Sequence, residues 1–173
     1  MKHVSPLEVE IKLAIPGLEG FPARLEAAGF RLVSPQGPET SVLWDRDGQL
    51  RSQGSALRVR RYDGAVTLTW KGPRVDDPVL KIRPEQETAV ADGEAMEAIL
   101  RALGYAPALT MVKSRAVWVR GELEACLDQA PFGCYLELEG TREAIQGALG
   151  ELGLAGLPVE PRSYASLFLD NGC

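Results

Sequence analysis

Leu7-Glu8-Val9-Glu10-Ile11-Lys12-Leu13 alternates apolar and charged residues without a break. Successive side chains of an extended strand point to opposite faces, so Leu7, Val9, Ile11 and Leu13 share one face while Glu8, Glu10 and Lys12 share the other. Such a strand buries its apolar face and presents two carboxylates and an ammonium together. Taken alone, the pattern equally describes an amphipathic edge strand whose charges face water. What the charged face looks at is decided by the stretches downstream.

The same division recurs along the chain. Arg58 and Arg60 lie opposite Leu57 and Val59, and Thr67, Thr69 and Lys71 lie opposite Val66, Leu68 and Trp70. Lys81, Arg83, Glu85 and Glu87 fall on one parity, as do Lys113 and Arg115, and as do Glu122, Glu124 and Asp128. Glu137 and Glu139 oppose Leu136 and Leu138. Some of these strands are mostly basic and others mostly acidic, a sorting that suits the facing walls of a closed antiparallel barrel, which also removes exposed sheet edges. The charged faces would then line a tunnel. An open sheet with its apolar side under helices and its charged side in water remains the alternative.

Between the strands, Pro16-Gly17 break the chain, and Leu18, Phe21, Leu25 and Ala28 recur at helical spacing until Gly29. Arg31 to Pro38 reads as loop, Thr40 to Trp44 as a strand, and Asp45 to Gly48 as a turn. Strands follow at Ala56 to Tyr62, at Ala65 to Lys71 across the Asp63-Gly64 hairpin turn, and at about Val79 to Ala89. Asp92 is placed to cap a helix carrying Met96, Ile99, Leu100 and Leu103. Further strands are expected at Thr110 to Val119, Glu122 to Asp128 and Cys134 to Glu139. A Thr141-capped helix and a last helix at Ser163 to Leu169 complete the order. No long linker interrupts it, so a single domain spanning 1–173, with similar halves at about 1–90 and 91–173, is expected.

Composition narrows the chemistry. The 173 residues are 45% hydrophobic and 25% charged, ordinary for a globular protein. A net charge of -5 argues against a generic nucleic-acid or anionic-membrane binder. With no run of 18 apolar residues and no signal-peptide layout at the amino terminus, no membrane span is expected and a cytoplasmic location is. Three cysteines, Cys126, Cys134 and Cys173, show no CxxC spacing and read as reduced thiols. The single histidine, His3, lies at the terminus, which makes a histidine triad or a histidine-ligated zinc improbable. Neither GxxxxGK[ST] nor GxGxxG occurs.

Chemistry must then come from carboxylates, lysines, arginines and hard metals. Cations crowded in a tunnel repel one another unless an anion of comparable charge lies among them, and polyphosphate meets that requirement. Clustered carboxylates are hard oxygen ligands suited to Mg2+ or Mn2+, ions that also bridge phosphate oxygens.

Glu8 to Lys12, Leu57 to Arg60, Thr69 to Pro73, Arg83 to Glu87, Lys113-Ser114-Arg115, Leu127-Asp128, Gly133 to Gly140 and Ser163-Tyr164 resemble, in order, the motifs of CYTH-domain proteins, also called triphosphate tunnel metalloenzymes. The overall pattern is most similar to the compact bacterial branch described as class IV adenylyl cyclase or thiamine triphosphatase-like. The resemblance implies an α+β fold, an eight-stranded antiparallel closed barrel with helices packed outside. It implies a small-molecule triphosphate substrate and Mg2+ or Mn2+, with neither nucleic acid nor membrane as partner, and leaves a homodimer open.

Residue by residue, the resemblance assigns metal binding to Glu8, Glu10, Asp128, Glu137 and Glu139. It assigns triphosphate binding to Lys12, Arg58, Arg60, Lys71, Arg83, Lys113 and Arg115, and catalytic roles to Lys12, Glu85, Glu87 and Asp128. The expected activity is metal-dependent hydrolysis of inorganic triphosphate, thiamine triphosphate or a nucleoside triphosphate. A class IV adenylyl cyclase, forming cyclic AMP and pyrophosphate from ATP, is the alternative, and a non-catalytic polyphosphate-binding module a third. The chain departs from the family at Ser41 to Asp45, where no contact is assigned. Pro84 removes a backbone donor and points to an edge-like or bulged spot. Arg162 is read as a solvated arginine near the tunnel mouth.

Overall fold

The computed structural model describes residues 7–172, so the readings placed on residues 1–6, His3 among them, and on Cys173 lie outside the described residues. Eight strands form the framework: β1 (Leu7–Ile15), β2 (Arg31–Asp45), β3 (Ala56–Tyr62), β4 (Ala65–Lys71), β5 (Lys81–Ala89), β6 (Ala106–Arg120), β7 (Leu123–Ala130) and β8 (Gly133–Glu139). They close into a barrel in the order β1-β5-β4-β3-β2-β6-β7-β8, every neighbouring pair antiparallel. Closure decides between the two readings of the charged faces, because one face of every strand now looks into the barrel.

The apolar core lies outside the barrel wall. Ile11, Leu13, Leu127, Leu136 and Leu138 point outward and pack with Leu25 of α1 (Phe21–Ala27) and Ile145 of α4 (Arg142–Glu151). Each such buried aliphatic side chain contributes roughly 1.5–3 kcal/mol relative to exposure. Trp44 and Val59 pack beneath Leu100 of α3 (Gly93–Ala102) in a second cluster. A third cluster differs in kind: Leu167 and Tyr164 of α5 (Tyr164–Asp170) meet Ala14, Ala130 and Tyr135 where β1 and β7 finish and β8 begins. This short helix therefore covers one end of the barrel. Side-chain oxygens fix the helix starts, Asp92 accepting from the N–H groups of Glu94 and Ala95, Thr141 from that of Ala144 and Ser163 from that of Ser166.

Two local expectations need correction. Arg31 to Pro38 is strand, the first half of β2, paired with β6 from Arg31↔Val119 to Pro38↔Ser114. Register shifts between Leu32 and Ser34 and between Ser34 and Gly37 accommodate Pro35 within the pairing. The turn after Trp44 also continues into α2 (Gln49–Ser52), whose Leu50 and Arg51 N–H groups donate to the Asp45 carboxylate.

Pro84 lies where β5 changes partner, from β1 (Leu7↔Pro84) to β4 (Lys71↔Glu85), with no register shift. Its carbonyl accepts from the Gly72 N–H at 2.8 Å. The ring has no N–H to return, and Arg83 Nε donates to the Gly72 carbonyl instead, at 3.1 Å.

Candidate active site

The inward faces enclose a cavity of about 1030 Å³ lined by acidic and basic side chains. Register determines which charges meet. On β1, Glu8 lies opposite Arg83, Glu10 opposite both Lys81 and Glu139, and Lys12 opposite Glu137. Lys71 Nζ reaches Glu8 at 2.6 Å and Glu85 at 2.5 Å, Lys81 reaches Glu10 at 3.0 Å and Lys12 reaches Glu137 at 3.5 Å. Across β3, β4 and β5, the Glu87 carboxylate receives Arg58 at 3.5 Å and Arg60 at 3.2 Å, with the Thr69 hydroxyl donating at 2.6 Å.

Asp128 is set apart from the other acids. It is fully buried and does not line the cavity. Arg115 Nε donates to its Oδ1 at 2.7 Å, while Oδ2 accepts from Arg115 Nη2 at 2.6 Å, Lys113 at 2.9 Å and the Tyr164 hydroxyl at 2.5 Å. Four donors on two oxygens leave little room for a further ligand. Arg115 in turn bridges to Glu137, and Glu39 pairs with Arg115 at 3.5 Å and Lys113 at 3.7 Å. The Tyr164 ring carries two ammonium groups, Lys12 at 3.7 Å and Lys113 at 3.8 Å from its centroid. Lys12, 1% exposed, also donates to the Arg162 carbonyl.

These contacts divide the carboxyls into two groups. Burial opposes ionisation of Glu39, but Arg115, Lys113, Arg58 and Arg60 outweigh it and hold the carboxyl at about 2. Burial likewise opposes ionisation of Glu137, which Lys12 and Arg115 hold well below the usual range. In the other group burial prevails. It raises Glu8 against the pull of Lys71, and it raises Glu10 with help from the charges of Glu137 and Glu8. Desolvation of the carboxyl, together with the charges of Glu8 and Glu124, pushes Glu139 up to about 8, although the residue as a whole is exposed. Among the basic groups, burial brings Lys12 down to about 8, with Glu137 opposing.

Glu8, Glu10 and Glu139 are thus short of positive charge. Glu8 Oε2 is buried without a hydrogen-bond partner among the described residues. Hard oxygen donors crowded in this way fit a divalent cation of the Mg2+ or Mn2+ type. Among the described residues these acids do not close into a preformed metal cage, because Lys71 and Lys81 hold Glu8 and Glu10.

Every residue singled out by resemblance therefore lies in the barrel interior, with Asp128 withdrawn behind Arg115 and Lys113. Three participants were not singled out. Glu39 was masked by the loop reading of the prolines before it, although it shares parity with Ser41. Lys81 and Glu124 stood on the charged parity of their strands without a role, and both line the cavity. Arg162 also reaches the cavity wall, but its guanidinium is paired with Glu160 and Asp170.

A family model described as the CYTH domain matches residues 6–152. A Methanocaldococcus jannaschii protein bearing the provisional name of adenylate cyclase is 32% identical over 77% of this chain and 76% of its own length. Adenylate cyclase CyaB of Aeromonas hydrophila is 25% identical over 92% of this chain and 87% of its own. Among solved structures, a Pyrococcus horikoshii protein superposes with a TM-score of 0.77 at 25% identity, covering 95% of this chain and 99% of that one. A Hippeastrum protein, provisionally called an adenylyl cyclase and described as revealing a dominant triphosphatase activity, superposes at 0.68 with 23% identity, covering 95% and 96%.

Proposed function

The chain belongs to the CYTH family, and from that premise we propose that it is a divalent-metal-dependent hydrolase of triphosphate substrates. The observation that carries the reading is the cavity itself: basic side chains from opposite walls converge beside carboxylates left short of positive charge. A triphosphate chain with its metal supplies both missing charges.

Arg58, Arg60, Lys71, Arg83, Lys113, Arg115 and Lys12 would take the non-bridging oxygens, all but Arg83 exchanging part of an existing carboxylate contact for phosphate. Glu8, Glu10 and Glu139 would hold the metal, with Glu137 beside them. When bound, Mg2+ or Mn2+ neutralises charge on the phosphate oxygens. Glu87, kept ionised against its burial by Arg60 and the Thr69 hydroxyl, is suited to accept a hydrogen bond from the attacking water. Glu85 stands beside it on the same face. Asp128 acts by fixing Lys113, Arg115 and Tyr164 in register.

Substitution tests the assignment. Glu10→Gln and Glu137→Gln should each abolish metal-dependent phosphate release from tripolyphosphate, and an unchanged rate in both variants would sink the metal-site assignment. Adenylyl cyclase activity is the second reading. The name of the Aeromonas relative favours it, as does the continuation of the cavity past the cations into an apolar region. Cyclic AMP and pyrophosphate formed from ATP would select it.

A further inference from the structure

Most of the cavity's cations are held by acids. Its lysines, together with Arg58, Arg60 and Arg115, are each paired with a carboxylate. Arg74 and Arg83 line the same cavity, yet among the described residues neither has a carboxylate within ion-pair distance. A backbone carbonyl holds each instead. Arg74 Nη1 donates to Pro161 at 2.8 Å, and Arg83 Nε to Gly72 at 3.1 Å. Arg83 is half-buried, whereas Arg74 is exposed and so stands at the cavity's rim.

Register brings the two guanidiniums together. The chain that follows β4 returns along β5, where Val75 forms an antiparallel bridge with Ile82, its N–H donating to the Ile82 carbonyl at 2.8 Å. The next pair in that register is Arg74 and Arg83, which therefore lie abreast on one face. Like charges placed directly opposite repel. Burial lowers the pKa of the Arg83 guanidinium, and the charge of Arg74 adds to the fall against the pull of Glu8. The loop is braced in this position, because Asp77 accepts from the N–H groups of Val79 and Leu80 and pairs with Arg142 of α4. The segment that receives Arg74 is fixed as well. The Ala14 N–H donates to the Pro158 carbonyl at 2.9 Å and the Glu160 N–H to the Lys12 carbonyl at 2.8 Å.

We propose that Arg74 and Arg83 form a phosphate site at the rim of the cavity. The inference rests on the triphosphate reading of the same cavity, and adds to it Arg74, which lies outside the motifs that carry the family resemblance. A guanidinium presents a planar fork of N–H donors, and Pro161 occupies only one edge of that of Arg74, so the remainder is open to two phosphate oxygens side by side. A dianion seated between the pair cancels their repulsion, and neither arginine has to leave a carboxylate to receive it. The phosphate is either the end group of the bound chain or a separate orthophosphate, which present the same oxygens.

The test is calorimetric binding in the cold with Mg2+, using tripolyphosphate, pyrophosphate and orthophosphate as probes on the wild-type protein, Arg74→Gln and Arg74→Lys. If the site takes the end group of the chain, Arg74→Gln should weaken tripolyphosphate by about tenfold and pyrophosphate less, the scale of losing hydrogen bonds to a charged group at a partly exposed position. If it takes separate orthophosphate, the same variant should weaken orthophosphate by about tenfold and leave tripolyphosphate unchanged. Arg74→Lys keeps the charge and should lose less with either source. Equal weakening of all three probes, the mark of an arginine that only braces Pro161, overturns the proposal, as does an unchanged affinity for every probe or no binding of any probe to the wild-type protein. Phosphate release from tripolyphosphate is measured in parallel: its absence removes the hydrolase reading, while the binding comparison still decides the rim site.

Discussion

Asp128→Ala is the perturbation whose consequence follows most directly from the geometry. The carboxylate is fully buried and accepts from Arg115 twice, from Lys113 and from the Tyr164 hydroxyl. Removing one partner of a buried ion pair costs about 3–5 kcal/mol, because the remaining charge is left without compensation. Here Glu137 and Glu39 still face Arg115, and Glu39 still faces Lys113 at 3.7 Å, so the lower end, about 3 kcal/mol, is expected. For a chain of this size each kcal/mol moves the midpoint by about 2–4 °C, giving a fall in Tm of about 6–12 °C. Urea unfolding followed by circular dichroism should show a lower midpoint at unchanged slope. Asp128→Asn keeps the shape and one acceptor and should lose less. A loss below about 0.5 kcal/mol for the alanine variant, the range of ordinary surface changes, would refute the claim that Asp128 organises the basic wall.

Glu39→Gln removes a carboxyl held at about 2, against 4.5 in the unfolded chain, so the stability it contributes is present above pH 4.5 and lost as pH falls toward 2; the variant should be about 3 kcal/mol less stable at pH 7 and nearly equal to wild type near pH 2. Glu139 runs the other way: its carboxyl at about 8 makes the protein without metal lose stability as pH rises from 4.5 to 8, so Glu139→Gln should have a higher Tm than wild type at pH 8 and the same Tm at pH 4. Adding Mg2+ should raise the wild-type Tm at pH 8 more than that of Glu139→Gln, and chelator should reverse it. Tyr164→Leu removes the ring face shared by Lys12 and Lys113 and should weaken tripolyphosphate binding roughly tenfold, whereas Tyr164→Phe keeps the face and most of the affinity.

The barrel was legible because its strands are two-sided in an unusual way, with leucine and isoleucine on the outer parity and formal charge on the inner. That regularity survives from Glu8 to Glu139 and needs no knowledge of neighbours. It failed at Arg31 to Pro38, where two prolines and a glycine imitate a loop while β6 and two register shifts keep the segment in the sheet. Glu39 was lost with it. The fate of each inner charge was also not legible, since pairing depends on register: Lys71 meets Glu8, 63 positions away, only because β5 lies between their strands. Asp128 shows the same limit. Its parity made it look like a cavity carboxylate, whereas Arg115 and Lys113 on β6 and Tyr164 on α5 enclose it.

The central claim, that the charged barrel binds and cleaves triphosphates with a divalent metal, is tested most directly by product analysis. The purified protein is incubated with tripolyphosphate, thiamine triphosphate and ATP, each with Mg2+, Mn2+ or chelator, while phosphate, pyrophosphate and cyclic AMP are quantified together. The account predicts metal-dependent phosphate release that chelator abolishes, with no cyclic AMP. Cyclic AMP and pyrophosphate from ATP, with no phosphate from the other substrates, would contradict it.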